Sequence, residues 1–120
     1  MSESKEYVSQ DVEFGAIHIS EEVVSSIVSL AVQDVEGVYG LSANNSSKKS
    51  GGKSVRLVIS ENDEISIDCY IIALYGYSVV EVAKNVQETV LATIESTTGC
   101  KVSNVNVNVS GISMPRDAKK

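Results

Sequence analysis

The chain has 120 residues, 42% of them hydrophobic, and a formal net charge of −6. That length supports one hydrophobic core, and that apolar content excludes a disordered polymer. The acidic balance argues against nucleic acid and anionic lipid as partners, because both are held by clustered Lys and Arg.

With no Trp and a single Phe, the core must be aliphatic, and its Val and Ile content favours sheet. Residues 1–12 are polar and acidic, lack the basic start and apolar run of a signal peptide, and read as a flexible N-terminal tail. The domain proper is expected over residues 13–112, with a C-terminal tail at 113–120. No apolar run approaches the roughly 20 residues of a spanning helix, so a cytoplasmic location without direct membrane insertion is expected.

The first predicted strand is Ala16 to Ile19. Ser20 is a good N-cap for the helix that follows, and Glu21 and Glu22 place negative charge where the helix dipole favours it. Val24, Ile27, Val28, Ala31 and Val35 form one apolar stripe, and Gly37 is expected to end the helix as a left-handed cap. Ser42 to Ser54 is too polar to join a core and reads as a loop. A strand from Ser54 to Ser60, a turn at Glu61-Asn62-Asp63-Glu64 and a strand from Ile65 to Leu74 make a β-hairpin. Ser78 and Glu81 form a capping box for a second helix. Its stripe is Val79, Ala83, Val86, Val90 and Ile94, with Val82 beside it, and it stops at Gly99. Across that glycine the apolar period changes from near 3.6 to 2, giving a last strand at Val105-Asn106-Val107-Asn108-Val109-Ser110-Gly111.

The order β-α-β-β-α-β predicts a single α+β domain: a four-stranded sheet with two helices on one face, ferredoxin-like or a variant of it. The other face is then bare. From Ile65 to Leu74 one side reads Ile65, Ile67, Cys69, Ile71, Ala73 and the other Ser66, Asp68, Tyr70, Ile72, Leu74, so the second half of this strand is apolar on both sides. Such a strand requires a cover, and self-association or another protein is the favoured one. Asn104, Asn106 and Asn108 alternate on one side of the last strand, where asparagine is normally depleted, and add a polar contact surface. Tyr70, Ile72, Leu74, Asn104, Asn106 and Asn108 are thus the candidate interaction surface.

Chemistry-bearing residues are sparse. His18 is the only histidine and has no acid or cysteine next to it in sequence. Cys69 and Cys100 have no metal-ligand spacing and read as buried structural thiols. Glu61, Asp63 and Glu64 are explained by turn chemistry, without the glycine of a calcium loop. Gly51-Gly52-Lys53-Ser54 lacks the strand before and helix after that a phosphate loop needs. Lys48, Lys49, Lys53 and Arg56 are the one local excess of positive charge and a candidate loop for a phosphate or small ligand. No catalytic group, metal site or cofactor is predicted.

Several motifs in order resemble the alkaline shock protein family of Gram-positive bacteria, also called the envelope stress response family. They are Gly15-Ala16-Ile17-His18-Ile19-Ser20-Glu21-Glu22-Val23, Glu36-Gly37-Val38, Tyr75-Gly76, Glu81-Val82-Ala83, Val86-Gln87, Thr98-Gly99 and Val105-Asn106-Val107, spread from Gly15 to Ile112. The resemblance implies small cytosolic proteins of cell-envelope homeostasis and stress tolerance, with no catalytic residue set. It also implies that some members are tethered to the membrane by a separate anchor protein and that some assemble into larger structures. Short members like this one resemble a housekeeping branch whose genes tend to lie near lipid-precursor enzymes. The expected function is therefore a non-enzymatic interaction or scaffold protein; the alternative is a small-ligand or phosphate-responsive regulator of a lipid-metabolism partner.

Overall fold

The architecture follows from one strand that is hydrogen-bonded on both sides. The computed structural model describes residues 7–42 and 54–114. Its elements are β1 (Tyr7–Val12), β2 (Gly15–Ser20), α1 (Glu21–Gln33), β3 (Val38–Leu41), β4 (Val55–Ile59), β5 (Ile65–Leu74), α2 (Val79–Thr98) and β6 (Val102–Ser113). β5 is the centre of the four-stranded sheet, with β6 parallel along one side and β3 and β4 antiparallel on the other.

β3 and β4 run in the same direction along one edge of β5. Val38 to Leu41 pair with Ala73 to Ile71, and Val55 to Ile59 pair with Cys69 to Ile65. They meet at Tyr70, whose carbonyl accepts from Ser42 N–H at 2.8 Å and whose N–H donates to the Ser54 carbonyl at 2.9 Å. They are two halves of one edge strand, separated in sequence by residues 43–53.

Strict alternation of burial decides which face carries the helices. Ile65, Ile67, Cys69, Ile71 and Ala73 are fully buried, while the residues between them are half-buried. Against the buried face lie Val24, Val28 and Val32 of α1 and Val82, Val86, Val90 and Ile94 of α2. Both helices therefore cover one face, and the α+β class with a four-stranded sheet is the observed one.

Several expectations are corrected in detail. Tyr7–Val12 belongs to a strand, not to a tail, because it pairs along its whole length with β2. Ser113 likewise closes β6. The strand around Ala16 to Ile19 is not in the main sheet; it is half of a separate β1–β2 hairpin, and Val38–Leu41, unpredicted, takes a place in the sheet. β6 starts at Val102 rather than Val105 and reaches Ser113. In α2 the buried stripe is Val82, Val86, Val90, Ile94 and Thr98, with Val79 on the surface.

The caps act as their chemistry predicts at three of four ends. Ser20 Oγ accepts from Val23 N–H and Ser78 Oγ from Glu81 N–H, each at 3.3 Å. Gly99 closes α2 in the left-handed conformation, φ 76°, its N–H donating to the Glu95 carbonyl at 2.9 Å. Gly37 does something else: α1 has already ended at Gln33, capped by Asp34 in a right-handed conformation. Gly37, at φ 92°, is where the chain passes under α2. A Cβ there would meet Val82 Cγ2 at 2.6 Å and Tyr77 Cδ2 at 3.1 Å.

Gly37→Ala should therefore cost about 2–4 kcal/mol, from left-handed strain and overpacking together. Urea unfolding should show a lower midpoint with an unchanged slope.

Candidate interaction surface

The parallel register of β5 and β6 sets Ser66 beside Asn104, Asp68 beside Asn106, and Tyr70 beside Asn108. All lie opposite the helix-covered face, and Ile72 and Leu74 continue the same row. The structure thus brings the six candidate surface residues onto one face. Tyr70, Ile72 and Leu74 are half-buried there and stand outside the core cluster, while Asn104, Asn106 and Asn108 are exposed.

The asparagines are anchored unequally. Ser66 Oγ donates to Asn104 Oδ1 at 2.6 Å, and Asn108 Nδ2 donates to the Cys69 carbonyl at 3.2 Å. Asn106 makes no such side-chain bond among the described residues. The row is therefore a hydrated amide ladder flanking an apolar strip, pre-ordered at its two ends.

Of the candidate ligand loop, Lys48, Lys49 and Lys53 lie outside the described residues. Arg56 is exposed on β4, at the register position opposite Asp68. It borders an open groove of about 730 Å³ between α1 and β4, which also carries Glu21, Glu22 and Ser26. Two carboxylates beside one guanidinium set a poor field for a phosphate.

Cys69 and Cys100 are buried and unlinked. Burial pushes the Cys69 thiol up to about 11, and the negative Asp68 beside it adds to the rise. A thiol held protonated in this way is a poor nucleophile and a poor metal ligand. Among the described residues, no group of three or more His, Cys, Asp or Glu is placed to hold a metal ion.

The β1–β2 hairpin holds the residues that sequence reasoning missed. One of its faces carries Val8, Gln10, Val12, Ile17 and Ile19, the other Tyr7, Ser9, Asp11 and His18. Its base is tied to the domain: Val8 is fully buried, Ser9 N–H donates to Asp63 Oδ1 at 3.0 Å, and Gln10 Nε2 donates to the Thr98 carbonyl at 3.3 Å. Its tip is not, since Phe14 is 94% exposed. On the polar face Ser9 Oγ sits 3.0 Å from His18 Nδ1, and Tyr7 packs edge-on against the His18 ring. A serine beside a histidine invites a catalytic reading, but among the described residues no carboxylate is hydrogen-bonded to this exposed ring to complete a triad. The signal for the hairpin was the alternation Val8, Gln10, Val12 followed by Ile17, Ile19 around a glycine-ended turn.

Two helices packed on one face of a four-stranded sheet define an α+β domain. The comparisons with known proteins agree in kind. The chain belongs to the alkaline shock protein 23 family, of cell envelope-related function, whose profile matches residues 9–114. It is 36% identical over 110 residues to the uncharacterised protein YloU of Bacillus subtilis (strain 168), covering 82% of this chain and 89% of YloU. It is 35% identical over 102 residues to the uncharacterised protein Spy1535 of Streptococcus pyogenes serotype M6, covering 82% of this chain and 79% of that one. In fold it is similar to a MamM CTD structure, with a TM-score of 0.50 at 19% identity over 75% of this chain and 93% of that one. No described helix is long and apolar enough to cross a membrane.

The Cys69 environment predicts a pH dependence with a definite sign. Its folded-state value lies above the usual 9.0, so the unfolded chain loses this proton first and stability falls as pH rises from 9 towards 11. The loss should approach about 1.4 kcal/mol per pH unit within that window. Urea unfolding at pH 8, 9.5 and 10.5 should show the gap between wild type and Cys69→Ala narrowing, because the variant lacks the group. A gap that stays constant would contradict it.

Proposed function

We propose that the protein is a non-enzymatic interaction or scaffold protein that associates with itself and serves cell-envelope homeostasis or the envelope stress response. It would work in the cytoplasm, with any membrane recruitment supplied by a separate anchor protein. The observation that supports this reading most is the second face of the sheet. Tyr70, Ile72 and Leu74 form a half-buried apolar strip on the central strand, beside the exposed Asn104, Asn106 and Asn108, on the side away from the helices.

Physical reasoning leads from that face to association rather than catalysis. An apolar strip flanked by amides buries favourably against a matching surface and remains soluble when free. No described pair of groups offers an activated nucleophile or a general base with an orienter. The alternative, a phosphate- or small-ligand-responsive regulator of a lipid-metabolism partner, rests on Lys48, Lys49, Lys53 and Arg56. Glu21 and Glu22 beside Arg56 make it the weaker reading.

Size-exclusion chromatography with light scattering at tens of micromolar should give a multiple of the chain mass. Substituting Tyr70→Ser, Ile72→Thr and Leu74→Thr together should reduce that multiple at least tenfold in apparent affinity while circular dichroism stays native. A wild-type chain that is strictly monomeric in both low and high salt would overturn self-association.

A further inference from the structure

The outer edge of β6 pairs with no other strand among the described residues, and its two halves are treated differently. The first half is satisfied by α2: Glu95 Oε2 accepts from Val102 N–H at 3.3 Å, and Gln87 Nε2 donates to the Val105 carbonyl at 3.0 Å. The Val105 carbonyl therefore points away from β5. Amide and carbonyl of one residue in a parallel ladder face the same side, and the sides alternate along the strand. The backbone groups of Val107 and Val109 accordingly point outward too. β6 pairs with no strand other than β5, so among the described residues nothing pairs them on that side.

Three further observations say what fits there. Irregularities in the β5–β6 register fall between Ile65 and Ser66 and between Ile71 and Ile72, which leaves the stretch from Asn104 to Val109 regular between them. From Val102 to Met114 there is no charged residue and no proline, so this edge lacks the lysines and prolines that usually block pairing. The regular stretch also reads Val105-Asn106-Val107-Asn108-Val109, which is the same sequence in both directions.

We propose that two copies of this chain pair antiparallel through β6, about a two-fold axis at Val107, so that the two sheets become one continuous sheet. This rests on the self-association reading above and places a contact at the sheet edge, distinct from the Tyr70, Ile72 and Leu74 face. A two-fold contact is self-complementary by symmetry, and the palindrome satisfies it: Val107 faces Val107, Val105 faces Val109, and Asn106 faces Asn108 of the second copy, with the Gln87 amide sharing or leaving the Val105 carbonyl it now holds. Val107 exchanges backbone hydrogen bonds with its own symmetry mate. Asn106 and the second copy's Asn108 then form a non-hydrogen-bonded pair, the closer kind, with amides side by side on the open face. The same alignment carries Ile112 of each copy, 48% exposed, towards the other copy's groove of about 250 Å³ lined by Leu91, Val102 and Val105.

The register makes the test specific. Asn106→Cys and Asn108→Cys are made separately, since both side chains lie on the exposed face and the two native thiols are buried. Oxidising an equal mixture of the two variants should give a covalent dimer linked between positions 106 and 108, confirmed by peptide mass spectrometry. Either variant alone should give at least tenfold less, because like positions sit on the diagonal, about 7–8 Å apart. In parallel, Val107→Pro removes an outward N–H that β5 does not use, a place where strands tolerate proline. It should convert the wild-type oligomer to a smaller species with a native circular dichroism spectrum. If the wild type self-associates but the mixture gives no more cross-link than the single variants, the β6 pairing is wrong and the sheet-face reading stands. If the wild type does not self-associate at all, both fall. Should Val107→Pro fail to fold, the cross-linking result decides alone.

Discussion

The rest of the structure depends on the burial of one side of β5. Ile65, Ile67, Cys69, Ile71 and Ala73 have no exposed surface, and the first four share one core cluster with residues of both helices. Among the described strands, β5 is also the one hydrogen-bonded on both sides, by β3 and β4 along one edge and β6 along the other. Sheet and helices are thus assembled on the same ten residues. Because side chains on a strand alternate between faces, this heavily used side fixes the other side as well. Tyr70, Ile72 and Leu74 are turned outward by the same geometry that buries Cys69 and Ile71.

That dependence explains why so much of the fold could be read in the sequence. Ile65 to Leu74 carries a period of two over ten residues, and α1 and α2 carry a period near 3.6 with serine caps, so their type and orientation are local properties. Placing Asn104, Asn106 and Asn108 beside Tyr70, Ile72 and Leu74 required only alternation and adjacent strands. The legible part of the candidate surface was therefore the part encoded by periodicity.

What was not legible depends on long-range contacts. Tyr7–Val12 is rich in polar residues and resembles a tail, yet its ordering comes from Asp63 and Thr98, 54 and 88 positions away in sequence from their partners Ser9 and Gln10. Val38–Leu41 is too short for a period and has a glycine inside it; the Tyr70 backbone and the Gly37 carbonyl, which accepts from Leu74 N–H, hold that edge in place. Gly37 was misread for a related reason. A left-handed glycine after an amphipathic run looks like a helix cap, but here it is required by the closeness of Val82 and Tyr77, which no local pattern reveals.

Charge adds a constraint on how such a domain can meet its copies. The chain carries a net −6, so two molecules repel over most orientations, with a range set by the ionic strength. On β6 the charge is zero from Val102 onward, and on the open face Arg56 and Asp68 occupy opposed positions. The surfaces low in charge are therefore the outward edge of β6 and the half-buried strip of Tyr70, Ile72 and Leu74. An acidic molecule whose β6 strand carries no charge of its own meets less like-charge repulsion at that edge than elsewhere, with Glu88 and Glu95 of α2 the nearby charges that remain. Added salt should then change the rate of encounter more than the strength of the contact, because the contact itself contains no ion pair to screen.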